Sequence, residues 1–274
     1  MGTKWYLFAK FFRHLSSSEL MELCARLGFD GPTALVRKGY WVERENMAET
    51  LPPFVSDAVR HGLEVRYADT DVNPLNAEDA AEQYRILSGE GIERVRLSYV
   101  QRDGDRDPRS LPEKARRWAE AACELGARFS IRSVIQLHGG LYPQNATGAW
   151  PMVKDLDPRY VGVKIDPGNN RHQEGYEYFS YQVNLLREYI TAVGAKDACA
   201  LRLGPGGDDK GWQTQFVPAY AGQTNFVELY RLLKAVGFNG PNVLMPFYFE
   251  TDPAALTLAL EEELRYLKDC WEKA

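Results

Sequence analysis

The chain has 274 residues, of which 45% are hydrophobic and 26% are charged, and its formal net charge is -5. A chain of this length buries roughly three quarters of its unfolded surface, so it can form a core without disulfides. No apolar run approaches the ~18 residues that a membrane span needs, and the negative charge opposes general binding to nucleic acids. Composition therefore predicts one globular domain over residues 1–274, with neither a membrane nor a nucleic acid as its partner.

Short apolar runs alternate with amphipathic helical stretches about eight times along the chain. The runs are rich in β-branched and aromatic residues and are bounded by Gly, Pro, Asp or Asn, which is typical of strands. The predicted strands, in chain order, are residues 5–11, 32–36, 63–68, 94–97, 128–135, 160–165, 189–193 and 242–249.

Capping residues and glycines mark several helix ends. Ser16 followed by Glu19 is typical of a capped helix start, and Gly28 is typical of a helix stop. The same glycine stop recurs before later predicted strands, at Gly62, Gly91, Gly126 and Gly237. An open, doubly wound sheet also alternates strands and helices, but eight units in this length fit a closed barrel better. The predicted fold is therefore α/β, a single-domain (β/α)8 TIM barrel.

Two segments late in the chain are predicted from their composition. Residues 203–212 contain four glycines and are predicted to form a mobile loop that follows the seventh strand. Residues 253–271 are predicted to form a helix that closes the barrel. Its apolar stripe comprises Leu256, Leu260, Leu264 and Leu267, and its solvated face comprises Glu261, Glu262 and Glu263.

The carboxyl ends of the strands are where a barrel of this kind carries its active site. Almost every predicted strand of this chain ends in polar or charged side chains. In order they are Lys10, Arg37 with Lys38, Asp69 with Asp71, Arg96 with Tyr99, Gln136 with His138, Asp166 with Asn169 and Asn170, Lys196 with Asp197, and Tyr248 with Glu250. Charged residues also gather at exposed turns without any function, so the convergence of many of them is what favours a site.

Cationic residues dominate these strand ends. Lys10, Arg37, Arg96 and Lys196 are predicted to point towards one mouth, which favours an anionic substrate or a stabilised oxyanion. The alternative is that these cations form ion pairs with neighbouring acids, namely Asp69, Asp71, Asp166 and Asp197. Aromatic residues near the mouth, among them Trp41 and Tyr248, suit the apolar face of a sugar ring.

Short motifs along nearly the whole chain resemble one known family. They are Phe8-Ala9-Lys10, Leu27-Gly28-Phe29-Asp30-Gly31, Val36-Arg37-Lys38-Gly39, Gln136-Leu137-His138-Gly139-Gly140, Gly162-Val163-Lys164-Ile165-Asp166, Lys196-Asp197 and Gly237-Phe238-Asn239-Gly240-Pro241. In this order they resemble the xylose isomerase-like TIM barrels, which include sugar and sugar-phosphate isomerases, ketose 3-epimerases and endonuclease IV.

The resemblance implies a divalent metal, Mg, Mn, Co or Zn, held by acidic and histidine side chains that close the fifth to eighth strands. Where the family has those ligands, this sequence has Gln136, Asp166, Asn169, Gly194 and Phe247. The candidate ligands that remain are Gln136 and Asp166, with Glu250 as a substitute if a bulge shifts the eighth strand. Without Glu250 this set carries one formal negative charge, which compensates a dehydrated divalent cation poorly. The metal site is therefore predicted to be incomplete.

The resemblance also implies a sugar isomerase or epimerase that acts on a carbohydrate or polyhydroxy acid. In that interpretation Asp166, His138 and Lys196 are the catalytic groups. The predicted substrate-binding residues are Lys10, Arg37, Arg96, Gln136, Asn169, Trp41 and Tyr248. Two alternatives stay open, namely a non-catalytic carbohydrate-binding barrel that has lost the metal site, and metal-free lyase or hydratase chemistry in the same pocket. The ligand in every case is a small carbohydrate or sugar acid.

Several expectations concern cofactors and cellular context. No glycine-rich phosphate-binding fingerprint follows a strand, so no nucleotide cofactor is expected. No cleavable apolar segment precedes the first predicted strand, which predicts a cytoplasmic protein. Barrels of this size commonly form symmetric assemblies, so a homo-oligomer is a further expectation.

Overall fold

The computed structural model describes residues 2–101, 108–173, 176–202, 212–248 and 252–274. The strands are β1 (Trp5–Leu7), β2 (Gly31–Pro32), β3 (Ala34–Leu35), β4 (Tyr67–Asp69), β5 (Arg94–Arg96), β6 (Arg132–Gln136), β7 (Val161–Ile165), β8 (Ile190–Ala195), β9 (Asp197–Arg202), β10 (Trp212–Val217) and β11 (Asn242–Leu244). The helices are α1 (Ser17–Leu27), α2 (Met47–Arg60), α3 (Ala77–Gly89), α4 (Leu111–Phe129), α5 (Ala146–Val153), α6 (Pro167–His172), α7 (Phe179–Leu186), α8 (Phe226–Ala235) and α9 (Pro253–Lys273).

A parallel sheet forms the centre of the molecule, in the order β2-β1-β11-β8-β7-β6-β5-β4-β3. Its two outermost pieces, β2 and β3, are separated in the chain by Thr33 alone. Because β2 pairs with β1 and β3 pairs with β4, this one segment joins both ends of the sheet. The sheet is thus a nearly closed barrel with helices outside, which confirms the predicted (β/α)8 fold.

Most of the predicted helix ends are confirmed. Ser16 and Glu19 form a capping box at the start of α1, and Gly28, Gly62, Gly91 and Gly237 all have positive φ. Gly126 is the exception, because α4 continues past it to Phe129 and ends at Ser130 with φ 56°. A Cβ at Gly126 would lie 2.5 Å from the Tyr160 carbonyl oxygen, so this glycine serves close packing. The predicted strand 128–135 therefore starts later, as β6.

Other strand boundaries also differ from the prediction. In the predicted strand 5–11 only the first part is a strand, which ends at Leu7, and a 3-10 helix follows it. The predicted strand 242–249 likewise ends early, at Leu244. β4 begins at Tyr67 instead of residue 63, because the Leu63 N–H still donates to the Ala58 carbonyl and completes the end of α2. Apolar composition alone does not separate strand residues from apolar residues that cap a neighbouring helix.

Two elements late in the chain refine the predictions made there. An antiparallel pair, β9 with β10, follows β8 and was not predicted. Residues 203–211 of the predicted loop lie outside the described residues. In α9 the four leucines of the stripe are buried, as predicted, but Glu263 is fully buried and not solvated.

None of the helices in the described part of the chain is long and apolar enough to cross a membrane.

Gly31, in β2, offers a test of the barrel closure. A Cβ there would lie 1.9 Å from the Glu64 carbonyl oxygen, so we expect Gly31→Ala to lower the free energy of unfolding by about 2 kcal/mol. Gly89, the last residue of α3, has nothing within 4 Å of an added Cβ, so Gly89→Ala should be neutral or stabilise by up to about 1 kcal/mol. Urea unfolding measures the free energy of unfolding of both variants. Equal changes in the two variants would contradict the close approach of Gly31 to the Glu64 carbonyl oxygen.

Candidate functional site

A cavity of about 190 Å³ opens at the carboxyl ends of the barrel strands. Its wall includes seven of the residues predicted to form the site, namely Lys10, Arg37, Arg96, Gln136, His138, Asn169 and Lys196. The other lining residues are Phe8, Asp69, Tyr99, Gln173, Phe216, Met245 and Phe247. Residues that are distant in sequence therefore meet at the end of the barrel where this fold carries its chemistry.

The buried carboxylate of Asp166, a predicted catalytic group, does not line this cavity, but it contacts three residues that do. Asp166 follows β7 and caps α6, where its Oδ1 accepts a hydrogen bond from the Asn169 N–H at 2.9 Å. Its Oδ2 accepts from Gln136 Nε2 at 2.8 Å and lies 3.4 Å from Lys196 Nζ. The Asn169 side chain donates to the Leu137 carbonyl and accepts from Lys196 Nζ at 2.6 Å. We call Asp166, Asn169 and Gln136 the oxygen cluster.

The two amides of this cluster line the cavity while they also hold their neighbours in place. Gln136 donates through Nε2 to Asp166, and its Oε1 accepts from the Tyr99 hydroxyl at 3.1 Å. Tyr99 is half-buried, and burial is the main reason that the pKa of its hydroxyl is raised, so it stays protonated and donates at neutral pH. Both ends of the Gln136 amide are thus engaged.

The described residues do not fit a bound divalent metal. Asp166 is the only carboxylate of the oxygen cluster, and the Lys196 ammonium already lies beside it. At Gly194 a Cβ would lie 2.9 Å from Asp166 Oδ2, so a histidine there would displace the carboxylate. No group of three or more His, Cys, Asp or Glu residues in the described ranges could hold a metal. Glu250, the substitute ligand in the predicted set, lies outside those ranges.

A second group of charged side chains surrounds Asp69, which lines the cavity. Arg96 Nε and Lys164 Nζ lie 3.5 Å and 3.7 Å from the same oxygen of Asp69, and all three residues are buried. Arg96 also lies 3.6 Å from Asp71, which pairs with Arg37 at 3.5 Å. Burial lowers the pKa of Lys164, although Asp69 opposes this effect. The alternative interpretation of these cations was ion pairing with neighbouring acids. It applies to Arg37, Arg96 and Lys196, whereas Lys10 forms no such pair among the described residues.

Lys10 gives the cavity its excess positive charge. Its Nζ lies 5.2 Å from the centroid of the Phe247 ring, and the described residues offer it no carboxylate partner. Burial and the positive charge of Arg37 lower its pKa. Four cationic side chains line the cavity with Asp69 as the one acidic lining residue among those described, so the cavity favours an anion.

His138 presents a basic nitrogen to the cavity. Its Nδ1 lies 2.7 Å from the Gly139 carbonyl oxygen, which can only accept, so we assign the proton to Nδ1. Nε2 then carries the lone pair and accepts from Gln173 Nε2 at 3.3 Å. Burial is the main cause of a lowered pKa at His138, so the imidazole is neutral at pH 7.

Two predicted binding residues have their contacts elsewhere, outside the set of side chains that line this cavity. Trp41 stacks on Phe54 with ring centroids 6.0 Å apart, and its indole N–H donates to the Leu15 carbonyl. The Tyr248 hydroxyl donates to Glu263 on α9. Both aromatic side chains therefore pack against outer helices, Trp41 against α2 and Tyr248 against α9.

Gln173, Phe216 and Phe247 line the cavity but were not predicted as binding residues. Gln173 comes just after α6, and nothing in the local sequence distinguishes it. Phe216 lies on β10, whose pairing with β9 was itself missed. Phe247 stands where the resemblance implied a glutamate, and its ring contacts the cations of the cavity instead.

Comparisons with known proteins find relatives only at the level of structure. No family model matches the sequence, and no curated protein matches it significantly. A xylose isomerase-like TIM barrel protein from Mycobacterium smegmatis, solved in complex with magnesium, is 16% identical with a TM-score of 0.70, over 98% of this chain and 97% of that one. A D-psicose 3-epimerase solved in the presence of D-fructose is 14% identical with a TM-score of 0.72, over 98% and 99%.

A mannonate dehydratase from Streptococcus suis is 12% identical with a TM-score of 0.70, over 99% of this chain and 94% of that one. These similarities extend over at least 94% of each chain, while the sequence identities are too low to carry an activity across. The protein therefore has the fold of the xylose isomerase-like TIM barrels.

Proposed function

We propose that this protein is an enzyme that moves a proton at the carbon next to the carbonyl group of an anionic carbohydrate or sugar acid. The observation that carries the proposal is the convergence of four cationic side chains and one neutral imidazole on a single cavity. Among proteins with this fold are a D-psicose 3-epimerase and a mannonate dehydratase, so sugars and sugar acids are suitable first candidates.

Lys10 and Arg37 bind the anionic group of the substrate in this proposal. Lys10 has no carboxylate partner among the described residues, and the acid that pairs with Arg37, Asp71, is itself 58% exposed. Neither cation must break a buried ion pair in order to bind a carboxylate or phosphate. A guanidinium and an ammonium together offer several N–H donors to such a group.

His138 is the proposed base for the proton transfer. In this proposal the substrate displaces the Gln173 side chain, whose Nε2 lies 3.3 Å from His138 Nε2, and so frees the imidazole lone pair. His138 Nε2 then takes the proton as the C–H bond breaks, the electron pair of that bond forms a C=C bond, and the carbonyl π pair moves onto oxygen. Arg96 and Lys196 supply positive charge near the resulting oxyanion. Protonation of the same carbon from the other face, by water, gives epimerisation. In isomerisation the former carbonyl carbon takes the proton, the hydroxyl on the neighbouring carbon gives its proton to the oxyanion, and that neighbouring carbon becomes the new carbonyl carbon, so no reactant other than water is needed.

Solvent exchange tests this proposal directly. The protein is incubated in D2O with a panel of ketoses, aldonic acids and their phosphates, and proton NMR follows the signal of the carbon next to the carbonyl. Loss of that signal as deuterium enters supports proton transfer. Line broadening without exchange for every ligand that binds would instead indicate a binding protein, and appearance of the methylene signal of a deoxy keto product would indicate dehydration.

Within this assay His138→Gln should lower the exchange rate by about 10²- to 10⁴-fold, because it removes the base and keeps a polar side chain. His61→Gln is the matched control, since His61 Nδ1 also lies at 2.8 Å from a backbone carbonyl, that of Asp57 on α2, away from the cavity. An equal loss in both variants would reflect folding, and no loss in His138→Gln would reject this base.

A further inference from the structure

The oxygen cluster contains a cation that belongs to the chain itself. Lys196 Nζ lies 2.6 Å from the Asn169 side-chain oxygen and 3.4 Å from Asp166 Oδ2. Asp166, Asn169 and Lys196 are each at most 3% exposed. A carboxylate and an amide oxygen around one positive charge are the surroundings that a bound metal cation also requires.

The surroundings of Lys196 are shaped for this ammonium. A Cβ at Gly168 would lie 2.7 Å from Lys196 Cγ, so the glycine leaves room for the lysine stem. The rings of Phe216 and Phe247 lie with their centroids 4.7 Å and 4.5 Å from Nζ. Aromatic faces attract an ammonium but do not coordinate a divalent metal, so these rings favour the lysine.

We propose that the Lys196 ammonium takes the place of a divalent metal as the electrophile of this site, so that turnover needs no metal. The inference rests on the proposed function, since it assigns how the same cavity stabilises the negative charge that proton transfer places on the substrate oxygen. Lys196 is then a catalytic residue that touches this oxygen.

The available hydrogen bonds agree with this role. An ammonium has three N–H donors, and Lys196 donates one of them to the Asn169 side-chain oxygen, while Asp166 Oδ2 lies 3.4 Å away as its ion-pair partner. A donor therefore remains for a substrate oxygen, and Lys196 is itself part of the cavity wall. A positive charge that is held in position and shielded from water stabilises an oxyanion without any reorganisation during the reaction.

Manganese titration tests the replacement without any assumption about the substrate. We expect the wild-type protein to show no saturable binding of Mn²⁺ below about 1 mM by electron paramagnetic resonance. Lys196→Ala removes the ammonium and leaves the oxygens, so it should bind Mn²⁺ at least about tenfold more tightly. Asp166→Asn added to Lys196→Ala should abolish that gain. Stoichiometric micromolar binding by the wild type, or no gain in Lys196→Ala, would overturn the proposal.

Deuterium exchange with a responsive sugar or sugar acid gives the second readout. Exchange by the wild type should be unchanged in EDTA, whereas Lys196→Met should lose at least about 100-fold in rate with or without added Mn²⁺. Lys234→Met is the matched control, because Lys234 Nζ also lies over an aromatic ring, that of Trp271, and bonds a carbonyl oxygen outside the cavity. Loss of exchange in EDTA would overturn the proposal.

The two experiments separate the inference from the proposed function. Absence of exchange with every compound rejects proton transfer, while the manganese titration still decides whether Lys196 excludes a metal. If Lys196→Ala does not fold, the titration of the wild type still tests the proposal. Tight Mn²⁺ binding by the wild type would alone contradict the proposal that the Lys196 ammonium replaces a metal.

Discussion

Replacing Asp166 with alanine is expected to lower the free energy of unfolding by about 3–5 kcal/mol. The carboxylate is 1% exposed, accepts from the Asn169 N–H and from Gln136, and neutralises Lys196 at 3.4 Å. Removing it leaves a buried ammonium and two buried donors without their acceptor, and each of these costs free energy. Urea unfolding at pH 7 measures the loss.

A double-mutant cycle assigns this loss to the pair. If the unpaired charge of Lys196 dominates, Asp166→Ala combined with Lys196→Met should be more stable than Asp166→Ala alone. Glu113→Ala is the matched control, because Glu113 pairs at 2.9 Å with Arg117, both side chains are exposed, and such a pair contributes only about 0–1 kcal/mol. Similar losses for Asp166→Ala and Glu113→Ala would show that the buried pair of Asp166 and Lys196 does not stabilise the fold more than a surface pair does.

Glu263 is expected to make the stability of the protein fall as pH rises from about 5 to 8. Burial raises the pKa of this carboxyl to about 8 in the folded protein, from an ordinary value of 4.5. Between these values the folded state binds a proton that the unfolded state has released. The free energy of unfolding therefore decreases with pH, by at most about 1.4 kcal/mol per pH unit for this one group.

Glu263→Gln isolates this contribution. The glutamine keeps an oxygen for the Ala219 N–H, which donates to Glu263 Oε1 at 2.7 Å, and it does not ionise. The difference in unfolding free energy between the variant and the wild type should grow in favour of the variant from pH 5 to pH 8. The neighbouring Glu262 is exposed, so Glu262→Gln should leave the pH profile unchanged. Parallel profiles for wild type and Glu263→Gln would contradict the burial of a titrating carboxyl.

The local sequence was sufficient for the fold because the signals that specify a barrel act over a few residues. The capping box of Ser16 and Glu19, the left-handed glycines and the recurring apolar runs each mark a boundary within one turn or strand. Where those signals misled, a distant contact had changed the local preference. Gly126 permits close approach of α4 to the Tyr160 carbonyl and therefore lies inside a helix that it was predicted to end.

Sequence alone also identified seven of the residues that line the cavity, because strand ends of a (β/α)8 fold all lie on one face. Lys10, Arg37, Arg96, Gln136 and Lys196 reach the cavity for that reason. Only the tertiary structure decided which of these residues contact each other and in which direction each side chain points. The contact of Lys196 with Asp166 and the burial of Glu263 against Tyr248 each join two different elements of the fold. Such contacts depend on how strands and helices pack, and a periodic pattern along one segment carries no information about the partner that packing brings to it.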